Sequence, residues 1–214
     1  MTVSKLMTRN PAYVTIGTPV NDVKALMIRA NVSKLPVLDT AGKVVGLVTR
    51  NDLTNAAPSQ ATTLDMYEIS YLLSKLRVEK VMHSPVITVQ EDCVIEEAAR
   101  ILADNGISCL PVMKDDLLIG MVTERDVFNA AIEMFGMRHN GVRITFLMAE
   151  KQGQLATLCT KIAEAGGNIV ALVTGEGDDL RTRRCVFKVS NIDKSIIEKI
   201  VKDAGAEVED VREM

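Results

Sequence analysis

Residues 46–53 read GLVTRNDL and residues 120–127 read GMVTERDV, so the chain writes nearly the same octet twice, about 74 positions apart. The likeness extends well beyond the octets. VSKLMT (3–8) is answered by VEKVMH (78–83), and Pro11-Ala-Tyr-Val-Thr15 by Pro85-Val-Ile-Thr88. VNDVKALMIRAN (20–31) is answered by VIEEAARILADN (94–105), and SKLPV (33–37) by SCLPV (108–112). The register holds at 73 to 75 residues with single-residue slips, which is the mark of an internal duplication.

Each copy reads as strand, helix, strand, strand, helix. Thr18 before Pro19 looks like a helix N-cap with proline in the first helical position. Val20, Val23, Met27 and Ala30 follow at helical spacing. LPVLD and VVGLVT flank the turn TAGK as a hairpin, and Asp52 sits where a second helix begins. The second copy places Asp92 near its helix start and MKDDL in its turn. A unit of roughly 55 residues buries too small a share of its surface to be stable alone. Two such units packed about a pseudo-twofold axis solve that problem. Between them, residues 57–76 contain Met66, Ile69, Leu73 and Leu76 on one helical face, with Tyr67 and Tyr71 on the neighbouring face. A helix packed on the module is expected there, with an exposed dimerisation face as the second reading.

Gly-x-x-Thr-x-x-Asp brings a strand end, a helix N-terminus, a hydroxyl and a carboxylate into one crevice. Helix N-termini attract anions, and a carboxylate can accept both hydroxyls of a ribose. Thr49 with Asp52, and Thr123 with Asp126, therefore read as a ribose-phosphate grip. The plainer alternative is a helix cap at a strand end.

The paired units resemble two CBS motifs forming a Bateman module, on the strength of LPV followed by G-h-V-T-x-x-D and the opening M-T/H-x-P-x-x-x-T. The resemblance spans roughly residues 1–133. It implies adenosine-containing ligands (AMP, ADP, ATP or S-adenosylmethionine) in two clefts. By position, Asp52 and Asp126 would take the ribose, and Thr49, Thr123, Thr15 and Thr88 would approach phosphate. Ser33, Leu35 and Pro36, with Ser108, Leu110 and Pro111, would flank the adenine through their backbones. Arg50 would reach a phosphate in the first copy. Glu124 stands in its place in the second, where Arg125 would compensate, so the clefts are expected to be unequal.

After GMRHNG (136–141) the pattern changes. VRITFLM alternates as a strand, and Leu155, Leu158, Ile162 and Ala165 share a helical face that Gly166-Gly167 ends. NIVALVT and RRCVFKV are strands joined by GEGDDL. A helix over 193–204 turns Ile196, Ile197, Ile200 and Val201 inward, and AEVEDV closes as a strand. The order βαββαβ is ferredoxin-like. With GQLA at the first strand–helix turn and GGNIV opening the second strand, residues 141–214 resemble an ACT domain. That implies pairing between domains and an amino-acid site at Gly153, Gln154, Leu155 and Asn168. Glu150-Lys-Gln-Gly departs from that family's usual turn, and a dimerisation domain without ligand is the equal alternative.

The expected fold class is thus α+β. CBS motifs lie at 1–56 and 77–133, a linker helix at 57–76, a linker at 134–140 and an ACT domain at 141–214. The order CBS–CBS–ACT, with NDLTNAAPSQ leading into the YLLSKL helix, resembles the acetoin-utilisation AcuB-type proteins.

Composition removes other classes. A net charge of −3 lacks the cationic footprint of a nucleic-acid binder. Three tyrosines, four phenylalanines and no tryptophan offer few stacking platforms. Arg181, Arg183 and Arg184 read as the solvated outer edge of a hairpin. No apolar run is long enough to cross a bilayer and MTVSKLMTRN lacks a signal-peptide core, so a cytoplasmic protein without membrane contact is expected. The four cysteines stand apart, as small buried hydrophobes do in a reducing compartment. GEGDD lacks the spacing of a calcium loop, and no metal ligand set is expected. His83 and His139 have no triad partners in sequence, so no catalytic residues are assigned and the chain is expected not to be an enzyme. The expectation is a homodimeric ligand sensor acting on an unidentified enzyme. The alternatives are a constitutive dimeric scaffold with vestigial clefts, or an enzyme or subunit in acetoin metabolism.

Overall fold

The computed structural model describes residues 1–56 and 66–214. The chain divides into two compact units, Met1–Val127 and Phe128–Met214.

In the first unit the strands β1 (Thr8–Arg9) and β2 (Val14–Thr15) precede helix α1 (Val20–Arg29). Strands β3 (Lys34–Leu38) and β4 (Val44–Thr49) form the hairpin, and α2 (Arg50–Asn55) follows without a break. Helix α3 (Met66–Lys75) leads to the second copy: β5 (Val89–Gln90), α4 (Ile95–Asn105), β6 (Cys109–Lys114), β7 (Leu117–Thr123) and the start of α5 (Glu124–Met134), whose residues from Phe128 on count with the second unit. Each hairpin pairs in parallel with the strand before its helix, Val14 opposite Val37 and Val89 opposite Val112. Those partners put the true register of the two copies at 75 across this stretch. Thr15 therefore corresponds to Gln90, not to Thr88, and Val20 corresponds to Ile95.

The opening segment of each copy crosses to the other copy's sheet. Thr8 pairs with Met121 on β7, and His83 bridges Leu47 on β4. Two-residue crossings carry no periodicity, so no pattern in the sequence announces them. They explain the glycine of the octet. A Cβ on Gly46 would stand 2.1 Å from Met82 Sδ, and one on Gly120 would stand 2.2 Å from Met7 Sδ. Each crossing methionine lies on the other copy's glycine. Val78 likewise joins the core of the first copy with Val23, Met27, Leu35 and Val48, all at most 1% exposed. Neither copy completes its core without the other, as the marginal size of one unit requires.

Thr18 does not cap α1. Its hydroxyl donates to the Thr15 carbonyl at 2.7 Å, and Pro19 takes the N-cap position. Tyr67 and Tyr71 on α3 are exposed. The start of the anticipated linker helix, residues 57–65, lies outside the described residues, as do the side chains of Met66, Ile69 and Leu73.

The second unit carries β8 (Val142–Ala149), α6 (Gln154–Glu164), β9 (Asn168–Glu176), β10 (Thr182–Ser190), α7 (Lys194–Asp203) and β11 (Glu207–Glu213). The strand order β11-β8-β10-β9, antiparallel throughout, is that of a ferredoxin-like βαββαβ unit. Ile144, Phe146, Phe187, Leu158, Ile162, Ile197 and Val201 are wholly buried between one sheet face and the two helices. Phe146 and Phe187 meet edge to face at 5.2 Å. Ile196 and Ala165 are exposed, because helical rotation carries them past the rim of the buried stripe. Gly166 takes φ +85° beyond the end of α6, and the Gly167 N–H returns to the Ile162 carbonyl, a left-handed C-cap. The arginine run is not an outer edge: β10 lies between β8 and β9. Arg183 pairs with Glu150, and Arg184 with Glu209 and Asp178.

Candidate functional site

The octets build two equivalent corners. Val48 is buried, β4 ends at Thr49, and α2 starts at Arg50 with Thr49 as its N-cap. Asp52 is the third helical residue and closes a capping box. Its Oδ2 accepts from the Thr49 N–H at 2.7 Å and from Thr49 Oγ1 at 2.7 Å, while the Asp52 N–H donates to Thr49 Oγ1 at 3.3 Å. In the second copy, Asp126 Oδ2 accepts from the N–H and the hydroxyl of Thr123, each at 2.8 Å. The cap thus uses one oxygen of each carboxylate. Oδ2 turns inward to hold the backbone, and Oδ1 remains for something else.

For Asp52 that something is His83, whose Nε2 lies 2.8 Å from Oδ1. The Asp52 side chain is only 13% exposed and the imidazole 68%. His83 is set there by its bridge to Leu47, the crossing described above. At the equivalent crossing the second copy has Thr8. Among the described residues, Asp126 Oδ1 has no side-chain partner.

A cavity of about 320 Å³ opens at the first corner. Lys34, Leu47 and Thr49 line it from the first copy; His83, residues 85–87 and residues 106–109 line it from the second. Val86, Ile87 and Ile107 supply apolar walls. Lys34 donates to the Ser108 hydroxyl inside it. The cavity joins an imidazole, an ammonium group, hydroxyls and apolar walls, the mixed lining of small-molecule sites, with Asp52 Oδ1 behind the imidazole.

The structure gathers only part of the anticipated set here. Thr49 and Ser108 line the cavity, and Asp52 reaches its His83 wall. Thr15 lies on β2, exposed, pairing with Leu38 in the parallel ladder, and Thr88 is exposed just beyond Ile87. Leu35 and Leu110 are wholly buried, and Pro36 and Pro111 are buried beside them, so these four supply hairpin backbone only. Ser33 is exposed and accepts the Arg50 N–H through its carbonyl at 2.8 Å. Arg50 turns away from the cavity. Its guanidinium donates to the Val32 carbonyl at 3.4 Å and lines a separate cavity with Lys24, Met27 and Leu53. Thr123 and Asp126 are half-buried in the second corner, and Arg125 is exposed.

Lys34, Ile107 and residues 85–87 were not legible as site residues, since the cavity is shared across copies some 50 to 75 residues apart. The one available signal was the substitution between SKLPV and SCLPV, which sets Lys34 against Cys109. Burial pushes the Cys109 thiol above its ordinary range. The two corners therefore differ through His83 against Thr8, whereas Lys34 and Cys109 both line the first cavity.

The anticipated amino-acid site in the second unit does not converge. Gly153, Gln154 and Leu155 stand at the start of α6, whereas Asn168 follows its end, about 16 Å away along an 11-residue helix. Gly153 adopts φ +82°, Leu155 packs into the core, and Gln154 Nε2 donates to the Ala204 carbonyl at 3.3 Å. Among the described residues, no cluster of His, Cys, Asp or Glu has metal-ligand geometry, and no helix is long and apolar enough to cross a membrane.

Comparisons with known proteins agree with this arrangement. A family model described as "CBS domain" matches residues 3–59 and 78–133. A Vibrio cholerae protein named as an acetoin utilization protein (AcuB) has a similar solved structure. It is 29% identical with a TM-score of 0.52, over 64% of this chain and 95% of that one. The structure of CBSX2 in complex with AMP is 30% identical with a TM-score of 0.51, over 62% of this chain and 97% of that one. An uncharacterized Methanocaldococcus jannaschii protein is 31% identical over 130 residues, which are 58% of this chain. The chain spans less than half the length of the first curated relatives it matches, 30% in that case. With more than half of its residues matched and the two copies folded as one interlocked pair, the chain belongs to the CBS-domain family.

Proposed function

We propose that the first unit is a regulatory sensor of an adenosine-containing nucleotide, with AMP as the first candidate. The observation that carries this reading is the division of labour on Asp52. Oδ2 is committed to Thr49, while Oδ1 meets the imidazole of His83, which itself lines a cavity that also has apolar walls and the Lys34 ammonium. In the proposed complex the ribose hydroxyls donate to Oδ1. The adenine lies against Val86, Ile87 and Ile107, and Lys34 and the displaced His83 turn to the phosphate. A solved relative 30% identical to this chain holds AMP, which supports the ligand class. ADP, ATP and S-adenosylmethionine belong to the same class. The second corner, with Thr8 in place of His83, lacks the imidazole that would turn to a phosphate and suits a less anionic ligand.

Signalling would run through a homodimer to a regulated enzyme, ligand favouring one of two dimer arrangements by its difference in affinity for them. The second unit, read as an ACT domain, would contribute to pairing. Catalysis is no part of the proposal, and a cytoplasmic setting fits it.

One observation favours the rival, a scaffold with vestigial clefts. Asp52 has partners from the chain itself on both oxygens. Calorimetric titration with AMP, ATP and S-adenosylmethionine separates the two readings. A sensor gives saturable heat with at least one, at affinities near micromolar, about 8 kcal/mol. A scaffold gives none with all three.

A further inference from the structure

The sheet of the second unit carries a row of cations on the face turned away from α6 and α7. Arg212 stands opposite Arg143, and Arg143 opposite Lys188, across three adjacent strands. Paired residues of an antiparallel ladder share a face, and like charges directly opposite destabilise it. The charges nearby do not balance the row. Asp210 is held by Arg212 through two bonds of 2.8 Å and accepts from Arg143 at 3.1 Å. Glu209 and Asp178 are taken by Arg184. Lys188 is left without an ion-pair or hydrogen-bond partner among the described residues, although it is only 4% exposed. One position along β8 on the same face, Thr145 Oγ1 is also buried without a partner.

A buried ammonium costs several kcal/mol unless paired, so an unpaired one on a face already crowded with cations calls for a counter-charge from elsewhere. Room for it is present. Lys188 and Arg143 line a cavity of about 310 Å³ whose remaining walls, including Phe135, Met137, Val173 and Val186, are apolar. That volume falls at the small end of ligand sites.

We propose that this cavity binds a small monocarboxylate with an apolar body, its carboxylate on Lys188 and Arg143 and its chain against Phe135, Val173 and Val186. A phosphate or sulfate fits less well, because a compact anion leaves the apolar walls uncovered. The site lies in the second unit and is independent of nucleotide binding in the first.

The test is an NMR titration of the isotope-labelled full chain with sodium hexanoate, hexan-1-ol and sodium sulfate, following the amides of Val173, Val186 and Lys188. Hexanoate should bind saturably with a dissociation constant on the order of 1 mM or below, and hexan-1-ol and sulfate at least about tenfold more weakly. Lys188→Met keeps the length and apolar stem of the side chain and should weaken hexanoate at least about tenfold, with the spectrum of the first unit unchanged. The proposal is overturned if hexan-1-ol or sulfate binds as well as hexanoate, if hexanoate does not bind, or if folded Lys188→Met binds it as tightly. Should that variant not fold, the three-ligand comparison on the wild type decides alone.

Discussion

Removing the Asp52 carboxylate should destabilise the first unit before any ligand is considered. In Asp52→Ala the Thr49 hydroxyl loses the carboxylate oxygen it donates to at 2.7 Å, at a cost of about 1 kcal/mol. The half-buried Thr49 N–H then keeps no acceptor in place of the one it had at 2.7 Å, which adds about 1 kcal/mol. The His83 contact, made by a largely exposed imidazole, adds no more than about 0.5 kcal/mol. The sum is about 2 kcal/mol, or a fall of roughly 4–8 °C in melting midpoint for a chain of this size. Urea unfolding followed by far-UV circular dichroism reads it directly, and the Thr49→Ala and double variants complete a cycle. The two residues share one capping box, so a coupling of at least about 0.5 kcal/mol is expected. A loss below about 0.5 kcal/mol in Asp52→Ala, or additive single effects, would refute the division of the carboxylate between cap and cleft. The result also sets the temperature below which any loss of ligand affinity in such variants can be read as lost contact rather than lost fold.

Two further outcomes test the interlocking of the copies. Gly46→Ala forces its Cβ onto Met82 Sδ and should cost about 1–2 kcal/mol by overpacking; adding Met82→Ala should return part of that loss in a urea melt, and a neutral Gly46→Ala would contradict the packing described. Glu79 accepts the Gly17 N–H at 2.8 Å, and that bond holds its carboxyl below the ordinary range. Its contribution is therefore complete above the ordinary carboxylate range and disappears as pH falls through the depressed value. Glu79→Gln should flatten that acid-side loss in stability-against-pH curves, and an unchanged slope would remove Glu79 from the account.

The duplication, the hairpins and the ferredoxin-like order were legible because they rest on local signals: apolar periodicity, turn residues and a motif that recurs. The crossing segments were not. Thr8–Arg9 and His83 pair with strands far along the chain, and so short a pairing leaves no periodic trace. The same physics hid half of the cleft. Thr49 and Asp52 announce themselves by spacing, whereas residues 85–87 follow the crossing at His83, and Lys34 and Ile107 meet in the cavity only because the two copies pack together. Matching Thr15 to Thr88 was off by a two-residue slip that only the pairing of Val14 and Val89 resolves. Leu35 and Leu110 were rightly placed on the hairpin, but strand alternation turns their side chains into the core. In the second unit, Arg143, Lys188 and Arg212 lie far apart in sequence, and the antiparallel register alone aligns them.

The central claim is that Asp52 Oδ1 is a nucleotide-binding atom and not merely part of a cap. Its most direct test is AMP affinity by calorimetry for the wild type, Asp52→Asn, Asp126→Asn and the double variant, each held well below its own melting midpoint. Asparagine keeps an oxygen to accept from Thr49 while removing the charge that accepts the ribose hydroxyls. The account predicts micromolar binding by the wild type and a weakening of at least about tenfold, 1.4 kcal/mol, in Asp52→Asn. Undiminished AMP binding in the double variant would contradict it.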